Sequence, residues 1–471
     1  MKNYLYFTLL LLISATVLPA QDFYFGADLS YVNEMEDCGV VYQEDNAPKD
    51  PYQIFADNGC NLVRLRLWHT PAWYDDLNEG NRYSDFQDVR RSIQRAKDQG
   101  MQVLLDFHLS DNWADPGKQL VPAAWLDVVD DLPLLKDSLY NYISNTLLAL
   151  HNDDLLPEMV QIGNETNKGI LLSPEDNATW TLDWERNSQL FNTAIQAVRD
   201  VEASTGETVQ VALHVAGPDN TTWLLEGFTD NGVTDYDVIG MSYYWAWHQP
   251  TTIEQTGALI AQLKQTYPGK EVMIFETGYI WTWESNDNAN NIISEVHPDY
   301  SPPSPQNQKQ WLIDLTQEVM DQGGKGVIYW EPAWVSSSCW TQWGQGSHQE
   351  HATFFDFNNN VLTNGGMDWM SYDYNMTSPV QAENYLTGFT VYPYDSTQML
   401  QLAFDRPKVS GPIEVQLLSV DGKVIASRRS ALQAGVSTTL ELHLPNVSSG
   451  VHIVTVFAGS RLIAREKVVI R

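Results

Sequence analysis

The chain of 471 residues carries 60 acidic against 27 basic side chains, a formal net charge of −33, which excludes nucleic acid and anionic membrane surfaces as partners because both are polyanions. At 43% hydrophobic residues the core can be large, divided among two or three domains unless one barrel takes most of the chain. A neutral substrate suits the charge best, and repulsion disfavours an acidic polysaccharide without excluding it.

Lys2, an apolar run from Leu5 to Val17, and Leu18-Pro19-Ala20 before Gln21 read as a signal peptide over residues 1–20, cut near Ala20. The run is too short to span a bilayer as a mature anchor, no other stretch is apolar enough for a membrane-spanning segment, and no cysteine near the cut could carry a lipid. The expected location is therefore secreted or cell surface, beyond the inner membrane. Three cysteines, Cys38, Cys60 and Cys339, leave at least one thiol unpaired; Cys38 with Cys60 is one pairing, and a buried free thiol is the alternative for each.

Tyr24 to Ser30 reads as a first strand and Tyr52 to Gly59 as a helix. Asn61 to Trp68 is a second strand whose period of two puts Leu62, Arg64 and Arg66 on one face. Two arginines inside an apolar strand require carboxylate partners. Ser84 to Gln99 follows as a helix, with Ser84 as its cap and Gly100 as its stop. Met101 to His108 is the third strand, and its exit loop, Leu109 to Gly117, is rich in polar and aromatic groups. Leu134 to His151 is a helix, and a fourth strand through Val160-Gln161-Ile162 runs to Asn164-Glu165. Helix Trp184–Thr205, strands Val209–His214 and Val238–Tyr244, and helix Ile253–Thr266 come next. A seventh strand from Val272 reaches Glu276, helix Gln308–Gln322 follows, and Lys325–Glu331 is the eighth strand. Eight strands mostly alternating with helices describe a (β/α)8 barrel over residues 21–380.

Glu165 and Glu276 each close an apolar strand. In a parallel barrel the C-terminal strand ends meet on one face, so the two carboxylates can face each other across one cleft, the arrangement that glycosidic bond cleavage requires. Taken singly, each could be a solvated residue just past a strand. Several of the 17 tryptophans fall in loops after strands, among them Trp113, Trp245, Trp247, Trp281, Trp283, Trp334, Trp340 and Trp343, a placement that suits the flat apolar faces of sugar rings. From about Tyr385 short alternating strands and the turn signal Asp421-Gly422 predict a small all-β sandwich over residues 386–471.

The barrel resembles glycoside hydrolase family 53, the endo-β-1,4-galactanases, from about Phe23 to Tyr374. The motifs that carry the resemblance are Phe25-Gly26-Ala27-Asp28, Asn61 to Trp68, Asp106-Phe107-His108-Leu109-Ser110-Asp111 with Trp113-Ala114-Asp115-Pro116, Ile162-Gly163-Asn164-Glu165, and Tyr329-Trp330-Glu331-Pro332-Ala333-Trp334. It implies a retaining enzyme acting on galactan or type I arabinogalactan, with Glu165 as acid/base and Glu276 as nucleophile. It further implies that Arg64 keeps the nucleophile ionised, that Asn164 bonds the sugar 2-hydroxyl, that Tyr244 touches the nucleophile, and that His108, Asp111, Trp113, Trp330 and Trp334 contact substrate. No cofactor is required for the chemistry. Similar bacterial members often bind calcium in the loop after the seventh strand, here Ser285 to Asn291, with Asp287 and Asn291 as the implied ligands; an ordinary polar loop is the alternative. The tail resembles type IX secretion sorting domains, through Leu417 to Lys423 and Ser449 to Val454, which implies secretion machinery as a partner; a plain accessory sandwich is the alternative. The rival functions are a barrel glycanase of the same clan acting on mannan, xylan or glucan, and a surface protein that binds glycan without cutting it.

Overall fold

The computed structural model describes residues 23–374 and then 389–394, 399–407, 410–419, 423–444, 447, 450–458 and 461–470. The expected signal peptide, the junction at 381–385 and the Asp421-Gly422 turn lie outside these residues. The chain divides into two compact units, the first running to Met376 and the second from Thr377.

The first unit is a closed barrel of eight parallel strands: β1 Tyr24–Asp28, β2 Leu62–Leu67, β3 Gln102–Phe107, β4 Met159–Ile162, β5 Gln210–Ala216, β6 Val238–Ser242, β7 Glu271–Thr277 and β8 Gly326–Tyr329, with β8 closing on β1. Around it run α1 Val32–Asp37, α2 Pro51–Asp57, α3 Phe86–Asp98, α4 Leu132–Asn152, α5 Trp184–Thr205, α6 Pro218–Asp230, α7 Ile253–Thr266 and α8 Pro305–Asp321. Both faces of β2 are buried along its whole length, as a parallel sheet enclosed by helices requires. Its odd residues Val63, Leu65 and Leu67 join the large core under the helices. Leu62 instead joins an inner layer with Leu104, Met159, Ala212, Val238, Met273, Phe275 and Ile328. That layer plugs the barrel from below and leaves Arg64 and Arg66 above it. Gly240 makes room there, since a Cβ at that position would stand 2.2 Å from the Phe275 ring.

Two sequence expectations change. Helix α3 is capped by Asp85, whose side chain accepts from the Asp88 amide, while Ser84 sits in a left-handed conformation (φ 55°) and turns its hydroxyl to Arg66. Helix α6 is not expected from the sequence pattern, although Pro218 after Gly217 starts it and Thr221, Leu224, Leu225 and Phe228 bury one face. Its first half is polar, Pro-Asp-Asn-Thr-Thr, which hides the helical period.

The second unit consists of β9 Phe389–Tyr394, β10 Met399–Phe404, β11 Gly411–Leu418, β12 Val424–Leu432, β13 Thr438–His443, β14 Gly450–Ala458 and β15 Arg461–Ile470. They form two antiparallel sheets, ordered β9-β10-β13 and β12-β11-β14-β15. Alternate residues of both sheets, such as Leu400 and Leu402 from one and Val415, Leu417 and Val454 from the other, share one apolar cluster, which is how a sandwich buries its inner faces.

Cys38 pairs with Cys339, not with Cys60, across a sequence separation of 301 residues and a Cα–Cα distance of 5.6 Å. Cys60 is a buried free thiol. The bond ties the end of α1 to the long loop after β8, immediately before the hairpin formed by Trp340–Thr341 and Gly344–Gln345. Closing so long a loop restricts the unfolded chain, so Cys339→Ser is expected to lower stability by about 2–4 kcal/mol. Thermal unfolding with and without reductant checks this, and a reductant-insensitive melting temperature would contradict it.

Candidate active site

The site is built outward from Arg64, which is 1% exposed. All five of its N–H donors are engaged. Nε donates to Gln161 (3.0 Å), Nη1 to Asp28 (3.0 Å) and Glu276 (2.8 Å), and Nη2 to Asp106 (2.9 Å) and Asn164 (2.7 Å). Burial opposes its charge, but Asp106, Glu276 and Asp28 hold it more firmly protonated than an ordinary arginine. β1, β2, β3, β4 and β7 each deliver one of these groups to the upper end of the barrel, and the parallel register makes the meeting possible: Asp28 lies level with Arg64, and Asp106 with Gln161.

Glu276 accepts from Arg64 on Oε1 and from the Tyr244 hydroxyl on Oε2 at 3.2 Å. Burial pushes its carboxyl up to about 7, against the pull of the Arg64 cation. Tyr244 is held protonated by burial first and by the Glu276 charge next, so it remains a donor. Glu165 is attached differently. The chain leaves β4 through Gly163 (φ 73°), and Glu165 itself adopts a left-handed φ of 47°, a strained conformation for a side chain of this size. A Cβ at Gly163 would lie 2.7 Å from Thr166, so that turn admits only glycine. The Glu165 carboxylate accepts from Ser242 at 2.6 Å. Burial, and then repulsion by Glu276, push it up to about 8. Two carboxyls thus share one site, one with a cation and a phenol, the other with a hydroxyl and a negative neighbour. Environments that push paired carboxyls apart separate the group that ionises from the group that keeps its proton.

The cleft above them encloses about 420 Å³ and is lined by Glu165, Glu276, Asn164, Tyr244, Trp113 and Trp330, together with Ala114, Asp115, Pro116, Ala216, Trp247, His248 and Ile292. Six of the residues singled out in the sequence therefore meet in one place, and Arg64 stands directly beneath. Three others do not line it. His108 is buried, its Nδ1 2.8 Å from Asp106, and burial holds its ring neutral; it braces the Arg64 network. Asp111 accepts from the amides of Thr70 and Ala123, each at 2.8 Å, and so fastens two loops together. Trp334 is 2% exposed and stacked on Tyr31 at 3.9 Å, which makes it packing beneath the cleft; its place in a loop after β8 could not reveal that the loop folds back. Asp28, Asp106 and Gln161, which stand in the sequence motifs, and Ser242 and His214 receive no site role from the sequence alone. His214 lies 2.9 Å from Asn164 and 3.0 Å from Ser242, joining the groups behind both glutamates. The signal was there, since each sits at or near the end of a strand and faces the barrel.

The calcium ligands do not fit an ion. Calcium takes six to eight oxygens with charged members among them, yet both oxygens of Asp287 are engaged by backbone amides, Ala289 at 2.8 Å and Ser347 at 2.7 Å. Asn291 Oδ1 is buried without a hydrogen-bond partner among the described residues, and its Nδ2 donates to Ser285. Among the described residues no group of three or more His, Cys, Asp or Glu side chains is placed to hold a metal ion. The loop is held to the chain after β8 by hydrogen bonds, Asn286 amide to Glu350 and Ile292 amide to the His348 carbonyl among them.

A parallel barrel presenting two carboxyls of unequal environment, backed by a saturated arginine and flanked by indoles, defines a glycosidase-type barrel. Residues 24–364 match the model of glycosyl hydrolase family 53, and the chain belongs to that family. An arabinogalactan endo-β-1,4-galactanase of Cellvibrio japonicus is 49% identical over 336 residues, 71% of this chain and 86% of that protein. An endo-β-1,4-galactanase of Bacillus subtilis is 34% identical over 71% of this chain and 78% of its own length. Among solved structures, the catalytic domain of an Ignisphaera aggregans family member superposes with a TM-score of 0.67 at 31% identity, covering 75% of this chain and 97% of that one.

Because Glu165 is raised from 4.5 to about 8, the folded protein binds a proton that the unfolded chain has released. The stability this contributes is complete below the ordinary carboxylate range and is lost as pH rises through about 8. Glu165→Gln removes the linkage, so the variant should gain on the wild type between pH 5 and 8, by up to about 1.4 kcal/mol per pH unit. Calorimetry across that range checks this; parallel curves would contradict it.

Proposed function

We propose that this protein cuts internal β-1,4-galactosyl linkages of galactan and type I arabinogalactan, with retention of configuration. The observation that carries this is the opposed setting of Glu276 and Glu165 in one aromatic cleft, within a chain 49% identical to an arabinogalactan endo-β-1,4-galactanase. Glu276, paired with Arg64, attacks the anomeric carbon while Glu165 gives its proton to the departing glycosidic oxygen, and a glycosyl-enzyme forms. Water then enters on the face the leaving group left, Glu165 takes its proton, and the bond to Glu276 breaks on the opposite face, so that two inversions give net retention. Asn164 stands beside both glutamates to bond the sugar 2-hydroxyl, and Trp113 and Trp330 offer faces for the rings. No cofactor takes part. This route needs the carboxyls about 5–5.5 Å apart, too close for an intervening water.

Product analysis on linear galactan beside mannan, xylan and glucan tests the substrate. Proton NMR early in hydrolysis should show the β-anomer of the new reducing end first; α-product first would mean inversion and a different catalytic pair. Glu276→Gln should abolish the glycosyl-enzyme in a folded protein. Glu165→Gln should still glycosylate Glu276 from a substrate with a good leaving group, stall, and turn over again with azide. A glycan-binding protein without activity would show none of this.

Export through the segment at residues 1–20, and delivery to the cell surface by secretion machinery reading the C-terminal unit, form the second part of the proposal. Support comes from the separate core of that unit. Among the described residues no helix is long and apolar enough to cross a membrane. Removing residues 377–471 should leave activity on soluble galactan within about twofold, because every described residue lining the cleft at Glu165 and Glu276 belongs to the barrel unit. In the native host the truncated protein should stay inside the envelope; normal surface delivery would overturn the sorting role.

A further inference from the structure

The catalytic chemistry uses Arg64 and leaves the second arginine of β2 without a task. Arg66 is 1% exposed, and its surroundings are unlike those of Arg64. Its guanidinium carbon lies 4.6 Å from the Tyr31 ring centroid, 4.4 Å from that of Trp68 and 4.1 Å from that of Trp113. Nη1 donates to Glu331 at 3.0 Å and Nη2 to Ser84 at 3.1 Å. Nε has no hydrogen-bond partner among the described residues. A cation held against three ring faces in a dry environment is attracted by each ring quadrupole.

Two of its neighbours lead to the cleft. Trp113 lines it, with its ring 5.6 Å from Trp330, which lines it too. Glu331 directly follows Trp330 and adopts a left-handed φ of 48°. That strained turn persists only where its surroundings hold it, and the Glu331 carboxylate is anchored to Arg66 on one oxygen and to the Tyr31 amide, at 3.4 Å, on the other. One guanidinium thus presses on the back of one indole wall and holds the chain that carries the other.

We propose that Arg66 is a positioning residue for substrate binding: its guanidinium fixes the two indoles, Trp113 directly and Trp330 through Glu331, as one packed aromatic wall against which a sugar ring can lie. It touches neither substrate nor the reacting groups. This rests on the cleft being the glycan site. The consequence is a division of labour between neighbouring strand positions, with Arg64 serving the nucleophile and Arg66 serving the aromatic walls.

A binding role shows in KM more than in kcat, since the walls hold the ground state and the transition state alike. Arg66→Met is expected to raise KM for galactan about tenfold or more while changing kcat by less than about threefold. Trp113→Ala should do the same, and the double variant should be no worse than the poorer single one, because Arg66 acts through Trp113 and its neighbour. Arg66→Lys, which keeps the charge but cannot fork between Glu331 and Ser84, should fall between Arg66→Met and the wild type, and it carries the test if the methionine variant does not fold. A folded Arg66→Met or Arg66→Lys protein with unchanged KM would overturn the proposal, as would losses that multiply in the double variant or fall on kcat alone. If the wild type leaves galactan intact, it is the substrate that fails, and the same comparison is made on the β-glycan it does cut.

Discussion

One cation carries the barrel's upper interior. Arg64 gathers Asp28, Asp106 and Glu276 around itself and adds the amide oxygens of Gln161 and Asn164. Without it three carboxylates would share a dry space, and burying even one unpaired charge costs several kcal/mol. Five of the eight strands contribute to this one cluster, so the barrel cannot close in its register without forming it. The interaction that permits the fold is also the one that holds Glu276, and neither can drift without the other.

Above and below that cluster the barrel changes character in steps. The layer of Leu62, Leu104, Met159, Met273 and Phe275 is apolar and excludes water from beneath. The charged layer follows, and above it come indoles. β2 crosses all of this in three alternate positions, Leu62, Arg64 and Arg66, as a strand of period two must. Glu165 and Glu331, the two carboxylates placed just past their strands, both turn through left-handed backbone (φ 47° and 48°). Glu276 needs no such turn because it still belongs to β7. At both, the strained turn swings a side chain inward after the ladder has ended, and hydrogen bonds from Ser242 and Arg66 hold those two side chains in place.

Much of this was legible beforehand. The eight strands stand out because strands buried on both faces read as apolar runs, and Glu165 and Glu276 stand out because each interrupts one. Partners of Arg64 could be demanded from charge balance, but naming Asp28 and Asp106 needed the register. The Cys38–Cys339 bond was not readable, since no local spacing relates residues 301 positions apart. Asp111 and Trp334 were misplaced for a shared reason. Sequence puts a polar or aromatic residue in a loop at the active end, but whether that loop faces the cleft or folds back on its neighbours is decided by tertiary packing. Asp287 was misjudged similarly: its carboxylate has the right chemistry for an ion, yet backbone amides of its own loop and of the chain after β8 reach it first.

The surplus of acid around Arg64 has a consequence for rate. Three carboxylates on one guanidinium leave the centre negative, and Glu165, raised to about 8, adds no charge while it keeps its proton. In the resting protein both glutamates are pushed above their ordinary range, first by burial and then by neighbouring carboxylates, Glu276 acting on Glu165 and Asp28 and Asp106 acting on Glu276. During glycosidic cleavage, positive charge develops at the anomeric carbon and ring oxygen, directly above the same groups. Preorganised negative charge aimed at that position strengthens as the transition state forms, and no reorganisation is needed at that moment. Ionising Glu276 is therefore made harder by the same carboxylates that favour a sugar cation above them, and Arg64 sets the balance, with enough positive charge to hold Glu276 as a carboxylate and too little to neutralise the field that cation meets.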